Sequence, residues 1–272
     1  MSEADKPLPV SSSTPPDFPR PQRELFQGVL RLLNDKKVQY VISGAFALQQ
    51  HTGIWRDTKD LDIFLPAAEA NRALEYLKAD GFTVEVTDSV WLAKARRDDY
   101  FVDLITGMSN AVVLVDDSWI QRGSPAEVLG VPTRVLGAEE LVASKVFVTR
   151  RERFDGADIA HVVYRAGDRM DWRRVMQLVG EHWEVLFWCL VLFHYIYPFA
   201  TDKVPGWLWT DLTERFQHEI QNPTPDCRFR GSLIDDKMFA IDVNEWGLAD
   251  LMKECRTSRG ERLILPEDAE AA

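Results

Sequence analysis

The chain has 272 residues, 46% apolar and 28% charged, an ordinary globular mix long enough for one large or two modest domains with a sizeable core. A formal charge of −11 at pH 7 argues against broad electrostatic attraction to nucleic acid, while leaving room for a locally basic groove. Cys189, Cys227 and Cys255 are widely spaced and odd in number, which suits neither a disulfide framework nor a zinc site. With no basic-then-apolar leader pattern, the expectation is a reduced, cytoplasmic setting.

In chain order, residues 1–21 hold six prolines and the run Ser11-Ser12-Ser13, the composition of a disordered or extended tail. From Arg23 to Lys36, apolar residues at Leu25, Phe26, Val29, Leu30, Leu32 and Leu33 recur with a helical period. Val38–Ile42 reads as a first strand, Ser43-Gly44-Ala45 as a tight turn, and Ala45–Gln50 as a short helix. Asp60–Phe64 reads as a second strand. Pro66 is expected at the first position of a helix that Gly81 ends. Strands follow at Phe82–Val86, Val90–Ala95 and Tyr100–Ile105, then a short pair at Ala126–Leu129 and Val131–Val135 around Gly130. A helix is expected over Ala138–Arg153 and another from near Asp155 to near Gly167.

From Asp171 the pattern becomes helical and rich in tryptophan. The apolar run Val185–Ala200 is broken by His194 and Pro198 and is short for a bilayer, so a buried helix and no membrane partner are expected. Arg228 and Arg230 share one face of a possible strand, placed either to meet an anionic substrate or to pair with Asp235, Asp236 or Asp242. The expected organisation is therefore a tail over 1–21, an α/β (α+β) domain with a mixed sheet and flanking helices over 22–168, a mostly helical domain over 169–256, and a flexible tail over 257–272.

The chemistry concentrates in Val38–Phe64. Asp60 and Asp62 alternate with Leu61 and Ile63, so on an extended strand both carboxylates project to one face. Adjacent acids repel unless a cation lies between them, and hard divalent ions take such oxygen ligands. The turn Ser43-Gly44-Ala45 follows an apolar strand and opens a helix, where backbone N–H groups can face a phosphate. Asp103, alone among Tyr100, Phe101, Val102, Leu104 and Ile105, is costly to bury without a partner. If its strand lies beside the acid pair, the three carboxylates can hold one or two Mg²⁺ (or Mn²⁺), with Asp103 placed as a general base. Arg56 can neutralise triphosphate oxygens or pair with Asp57 or Asp60, and Thr58 and Lys59 complete that loop. No GxxxxGK string occurs, so a P-loop is not expected. His51 and His161 lack metal-ligand spacing and are expected in core or surface roles. Trp207 and Trp209 are core residues by default, or the lining of a substrate pocket.

Gly44-Ala45, the loop Arg56-Asp57-Thr58-Lys59 and Asp60-Leu61-Asp62-Ile63 resemble the signature of the nucleotidyltransferase superfamily related to DNA polymerase beta, in its minimal and toxin-type bacterial branch. Fourteen residues separate Ala45 from Asp60, a long spacing, and Ala45 stands where that branch also uses Gly or Ser. The string from Val135 to Asp158 is similar to a later segment of the same family. The resemblance covers roughly residues 24–165. It implies Ser43, Gly44, Ala45, Arg56, Thr58 and Lys145 at the nucleotide, support from Arg153, Asp155 and Asp158, and Asp60, Asp62 and Asp103 as catalytic metal ligands. The implied activity is Mg²⁺-dependent transfer of a nucleoside monophosphate from an NTP to an acceptor hydroxyl of tRNA, protein or a small molecule. Alternatives on the same fold are a nucleotide-sensing or protein-binding module without turnover, or the toxin of a toxin–antitoxin pair with a protein partner.

Overall fold

The computed structural model describes residues 16–56, 58–223 and 228–266. Of the tail expected over 1–21, residues 1–15 lie outside the described residues, as do Asp57, residues 224–227 (Cys227 among them) and residues 267–272; its last part is structured instead, with Phe18 buried and a helix beginning at Arg20. Helix α1 (Arg20–Asp35) begins earlier than its apolar period suggested, because Pro21 fits the first turn, and it buries Leu25, Phe26, Val29, Leu30 and Leu33 against the sheet. After it come β1 (Val41–Ile42), α2 (Gly44–Thr52), β2 (Asp62–Phe64) and α3 (Ala67–Ala79). The strands β3 (Thr83–Asp88), β4 (Leu92–Arg97) and β5 (Tyr100–Ile105) form a meander. Helix α4 (Asp117–Arg122), the hairpin β6 (Ser124–Val128) and β7 (Val131–Val135), and α5 (Ala138–Lys145) follow.

The sheet runs β3-β4-β5-β2-β1-β7-β6. It is mixed: β2 pairs with β5 and β1 with β7 in parallel, and the remaining pairs are antiparallel. The α/β class with flanking helices is thus as expected. Several boundaries differ. Strand β1 is shorter than Val38–Ile42, and Pro66 caps α3 rather than opening it. Asp60 lies in the bend before β2, yet the ladder reaches back one residue, since Asp103 N–H donates to the Leu61 carbonyl at 3.0 Å.

The helix expected over Ala138–Arg153 stops at Lys145. A small hairpin, β8 (Thr149–Arg150) with β9 (Arg153–Phe154), replaces its second half. Val146, Phe147 and Val148 are β-branched or aromatic, poor continuations of a helix. Helix α6 (Gly156–Ala166) then matches its expected span.

Helix α7 (Trp172–Val179) packs on α5, α8 (Trp183–Ile196) on α6 and α9 (Gly206–Gln221) on α8, and one apolar core runs from Phe18 through the sheet to Leu212. The stretch Trp172–Ile196 is long and apolar enough to cross a membrane by length and composition. Its inner face, Trp183, Leu186, Cys189, Leu190 and Phe193, is packed in the core, whereas Trp188, Val191 and Tyr195 face outward, so this helix is only half buried. Arg228 and Arg230 do not form a strand. They precede α10 (Gly231–Ile234) and pair with Glu254 and Glu184. Short α11 (Ala240–Asn244) and α12 (Leu251–Arg259) complete the elements, and the segment expected to fray is tied down as far as Pro266.

Candidate functional site

The site forms where β1 turns into α2. Ser43 N–H donates to the Asp62 carbonyl at 2.9 Å, fixing the turn against β2. Gly44 has φ of +58°, a left-handed conformation that side chains resist. A Cβ on Gly44 would also lie 1.9 Å from Asp62 Oδ2, so the glycine lets the carboxylate sit directly on the backbone. The first N–H groups of a helix lack intrahelical partners, and here Gly44 and Ala45 line the same cavity as the acids.

Three carboxylates converge on that turn. Asp62 and Asp103 are register partners on parallel strands, and Asp60 reaches in from the bend. One oxygen from each lies within 4.8 Å of the others. Leu61 and Ile63 point the other way into the core, as the alternation required. Thr58 contributes by holding Asp60: its hydroxyl hydrogen-bonds the Asp60 carboxylate at 3.0 Å and lies 2.9 Å from the Asp60 carbonyl. Burial pushes the Asp62 carboxyl up to about 7, with the charges of Asp60 and Asp103 adding to the shift and Lys145 and Arg153 opposing it. Burial also raises Asp103, although the ammonium of Lys94 works against this.

Cations rim the acids. Lys145 is buried rather than on the surface, and its Nζ reaches Asp155 at 2.5 Å and Asp158 at 3.0 Å. Arg153 bonds Asp155 at 3.0 Å. Burial alone would raise Asp155, but Arg153 and Lys145 together hold it below the usual carboxylate range. Arg56 pairs with Asp158 at 3.0 Å and not with Asp60, the expected acid partner among the described residues. Arg56, Lys145 and Arg153 all line a cavity of about 740 Å³ that also contains Asp60, Asp62 and Asp103. A second, more apolar cavity of about 270 Å³ meets it at Gly44, Asp62, Lys145 and Arg153, and is walled by Phe64, Trp91, Ile105, Met108 and Phe147.

Other expected candidates lie elsewhere. His51 Nε2 bonds the Leu136 carbonyl, and His161 Nδ1 lies 3.4 Å from Arg56 Nη2 beside the Arg56–Asp158 pair, both structural positions. Trp209 donates to the Thr201 carbonyl, and Trp207 lines a separate cleft with Arg173. Two residues that the sequence reading passed over are at the site. Trp91 lines both cavities, and Lys94 Nζ bonds Asp103 Oδ1 at 2.5 Å. The signal for Lys94 was present: a two-residue turn at Asp98-Asp99 pairs Arg97 with Tyr100 and so places Lys94 opposite Asp103.

Three converging carboxylate oxygens, with ionisation of one disfavoured by the others, form a hard donor set that fits a divalent cation such as Mg²⁺. Among solved structures, ANT(2")-Ia in complex with adenylyl-2"-tobramycin resembles this chain at 15% identity over 65% of it and 99% of that chain, with a TM-score of 0.38. The lincosamide antibiotic adenylyltransferase LnuA, lincomycin-bound, does so at 17% over 52% and 95%, with a TM-score of 0.38. JHP933 from Helicobacter pylori does so at 13% over 89% and 88%, with a TM-score of 0.35. No curated protein sequence matches. The family profile "Nucleotidyl transferase of unknown function (DUF2204)" matches residues 22–184, more than half of the chain, and so the protein with this acid-lined turn belongs to that nucleotidyl transferase family.

Proposed function

We propose that the protein transfers a nucleoside monophosphate from an NTP to an acceptor hydroxyl, with release of pyrophosphate. The observation that carries this reading is the convergence of Asp60, Asp62 and Asp103 against the glycine that opens α2. Asp60, Asp62 and Asp103 would hold Mg²⁺ or Mn²⁺, which supplies positive charge beside the phosphate and the attacking oxygen. The backbone N–H groups of Gly44 and Ala45 cradle phosphate oxygens, Ser43 anchors their turn to the Asp62 carbonyl, and Lys145, Arg153 and Arg56 neutralise the triphosphate along the cavity wall. Thr58 acts indirectly, by holding Asp60 in place.

In the reaction the acceptor oxygen attacks the α-phosphorus, the bond to the pyrophosphate oxygen breaks, and the acceptor proton passes to Asp103. Positioning and charge neutralisation supply most of the acceleration. An Asp103 turned away from the other two acids would favour the rival reading, a nucleotide-sensing or protein-binding module without turnover; the convergence of the three carboxylates supports transfer instead.

The test incubates purified protein and Mg²⁺ or Mn²⁺ with each α-labelled NTP in turn, and cell extract supplies RNA, protein and small molecules. The expected outcome is one labelled acceptor with the wild type and at least roughly a hundredfold less label with Asp62→Ala. NTP-dependent thermal stabilisation without any labelling would favour the sensor reading. Neither label nor stabilisation would overturn both.

A further inference from the structure

Lys94 has no part in the scheme above, yet it forms a close ion pair with one of the three acids. It lies directly opposite Asp103 on the antiparallel β4/β5 pair, so the backbone, and not only a side-chain rotamer, places it there. Its Nζ is 2.5 Å from Asp103 Oδ1, both side chains are largely buried, and the ammonium also lies 4.2 Å from the centre of the Phe101 ring. Lys94, Asp103 and Asp62 thus form a row across β4, β5 and β2 on one face of the sheet.

Two-metal sites place their ions roughly 3.5–4 Å apart and share carboxylates between them. Here one oxygen of Asp103 is already paired with the positive charge of the Lys94 ammonium. A second dication on that carboxylate would sit beside the ammonium, in a partly buried setting where like charges repel strongly. Three carboxylates and one ammonium leave two negative charges, which one divalent ion balances.

We propose that the Lys94 ammonium stands where a second cation would otherwise bind, so that the site takes a single divalent ion, and that Lys94 is a positioning residue for Asp103. This rests on the nucleotidyl-transfer reading for the presence of any ion at all.

The experiment counts ions rather than turnover. Mn²⁺ is titrated into the full chain with α,β-methylene-ATP present, and bound Mn²⁺ is read by electron paramagnetic resonance for wild type, Lys94→Met and Lys94→Arg, with circular dichroism to confirm folding. The expected result is one protein-bound Mn²⁺ beyond nucleotide-only controls in the wild type and in Lys94→Arg. Lys94→Met should bind a second ion with exchange broadening of the spectrum, or bind the first about tenfold more tightly. Two ions in the wild type, or no change in a folded Lys94→Met, would overturn the proposal while leaving the transfer reading intact. No bound Mn²⁺ in any of the three would instead overturn the transfer reading on which it rests. If Lys94→Met does not fold, Lys94→Arg still decides through the wild-type count and its retention.

Discussion

At the scale of single residues, Asp62 shows what the site costs the fold. Its carboxylate lies against Gly44, between two other acids, and its pKa is pushed up to about 7 from an ordinary 3.8, first by burial. A carboxyl raised in the folded state favours folding most below the unfolded value and loses that contribution as pH rises through the folded one. Without a divalent ion, Asp62→Asn should therefore stabilise the protein, by on the order of 1–2 kcal/mol more at pH 8 than at pH 5.5. Thermal melts of both forms at the two pH values in chelator check this, and an equal difference at both would refute it. Mg²⁺ should stabilise the wild type more at pH 8, because it binds the ionised form. Lys145 and Arg153 show the complementary effect: they pair with Asp155 and Asp158, and their charge also opposes the rise at Asp62.

Among elements, α5 is the joint between the sheet and the later helices. Glu140 on α5 is fully buried, and a cation must accompany it. Arg174 of α7 supplies that at 2.9 Å, and also bonds the Ser118 hydroxyl on α4, so one guanidinium ties three helices. Arg122 is a weaker second partner at 3.5 Å. Arg174→Met should cost about 3 kcal/mol by leaving a buried carboxylate short of its main partner. Urea unfolding measures this, and the Glu140→Gln/Arg174→Met double variant should recover part of the loss. Because α5 also carries Lys145, loosening this joint should weaken Mn²⁺ binding as well. Helix α5 ends at Lys145, and the turn to the β8–β9 hairpin brings Arg153 back beside it. A helix continuing to Arg153 would instead have carried that arginine roughly 12 Å further along the axis.

For the whole molecule, residues 256–266 close on α3 and the β3–β4–β5 meander. Arg256 on α12 forms a two-pronged contact with Asp88 at 2.9 and 2.8 Å, Arg262 donates to the Thr106 carbonyl at 2.9 Å, and Leu263 is buried. Arg262 and Leu263 N–H groups both donate to the Ser89 carbonyl, and Asn71 and Lys78 on α3 bond the same segment. This clasp grips the β3–β4 turn just before Trp91, one of the residues that line both cavities. Deleting residues 261–272 should lower the melting temperature by several degrees, for a loss of about 2 kcal/mol, and speed amide exchange at the β3–β4 turn. Unchanged melting and exchange would show that the clasp carries no load. The sequence by itself determined what depends on near neighbours: the glycine turn, the alternation that sends Asp60 and Asp62 to one face, the meander, and the helical period of α1. The Asp98-Asp99 turn even set Lys94 opposite Asp103. Only the tertiary structure decided that β5 lies beside β2, that Lys145 is buried, that Arg56 pairs with Asp158, and that residues 262–266 are held. Those outcomes depend on contacts between distant stretches, where burial and charge pairing choose among many partners that local periodicity does not distinguish.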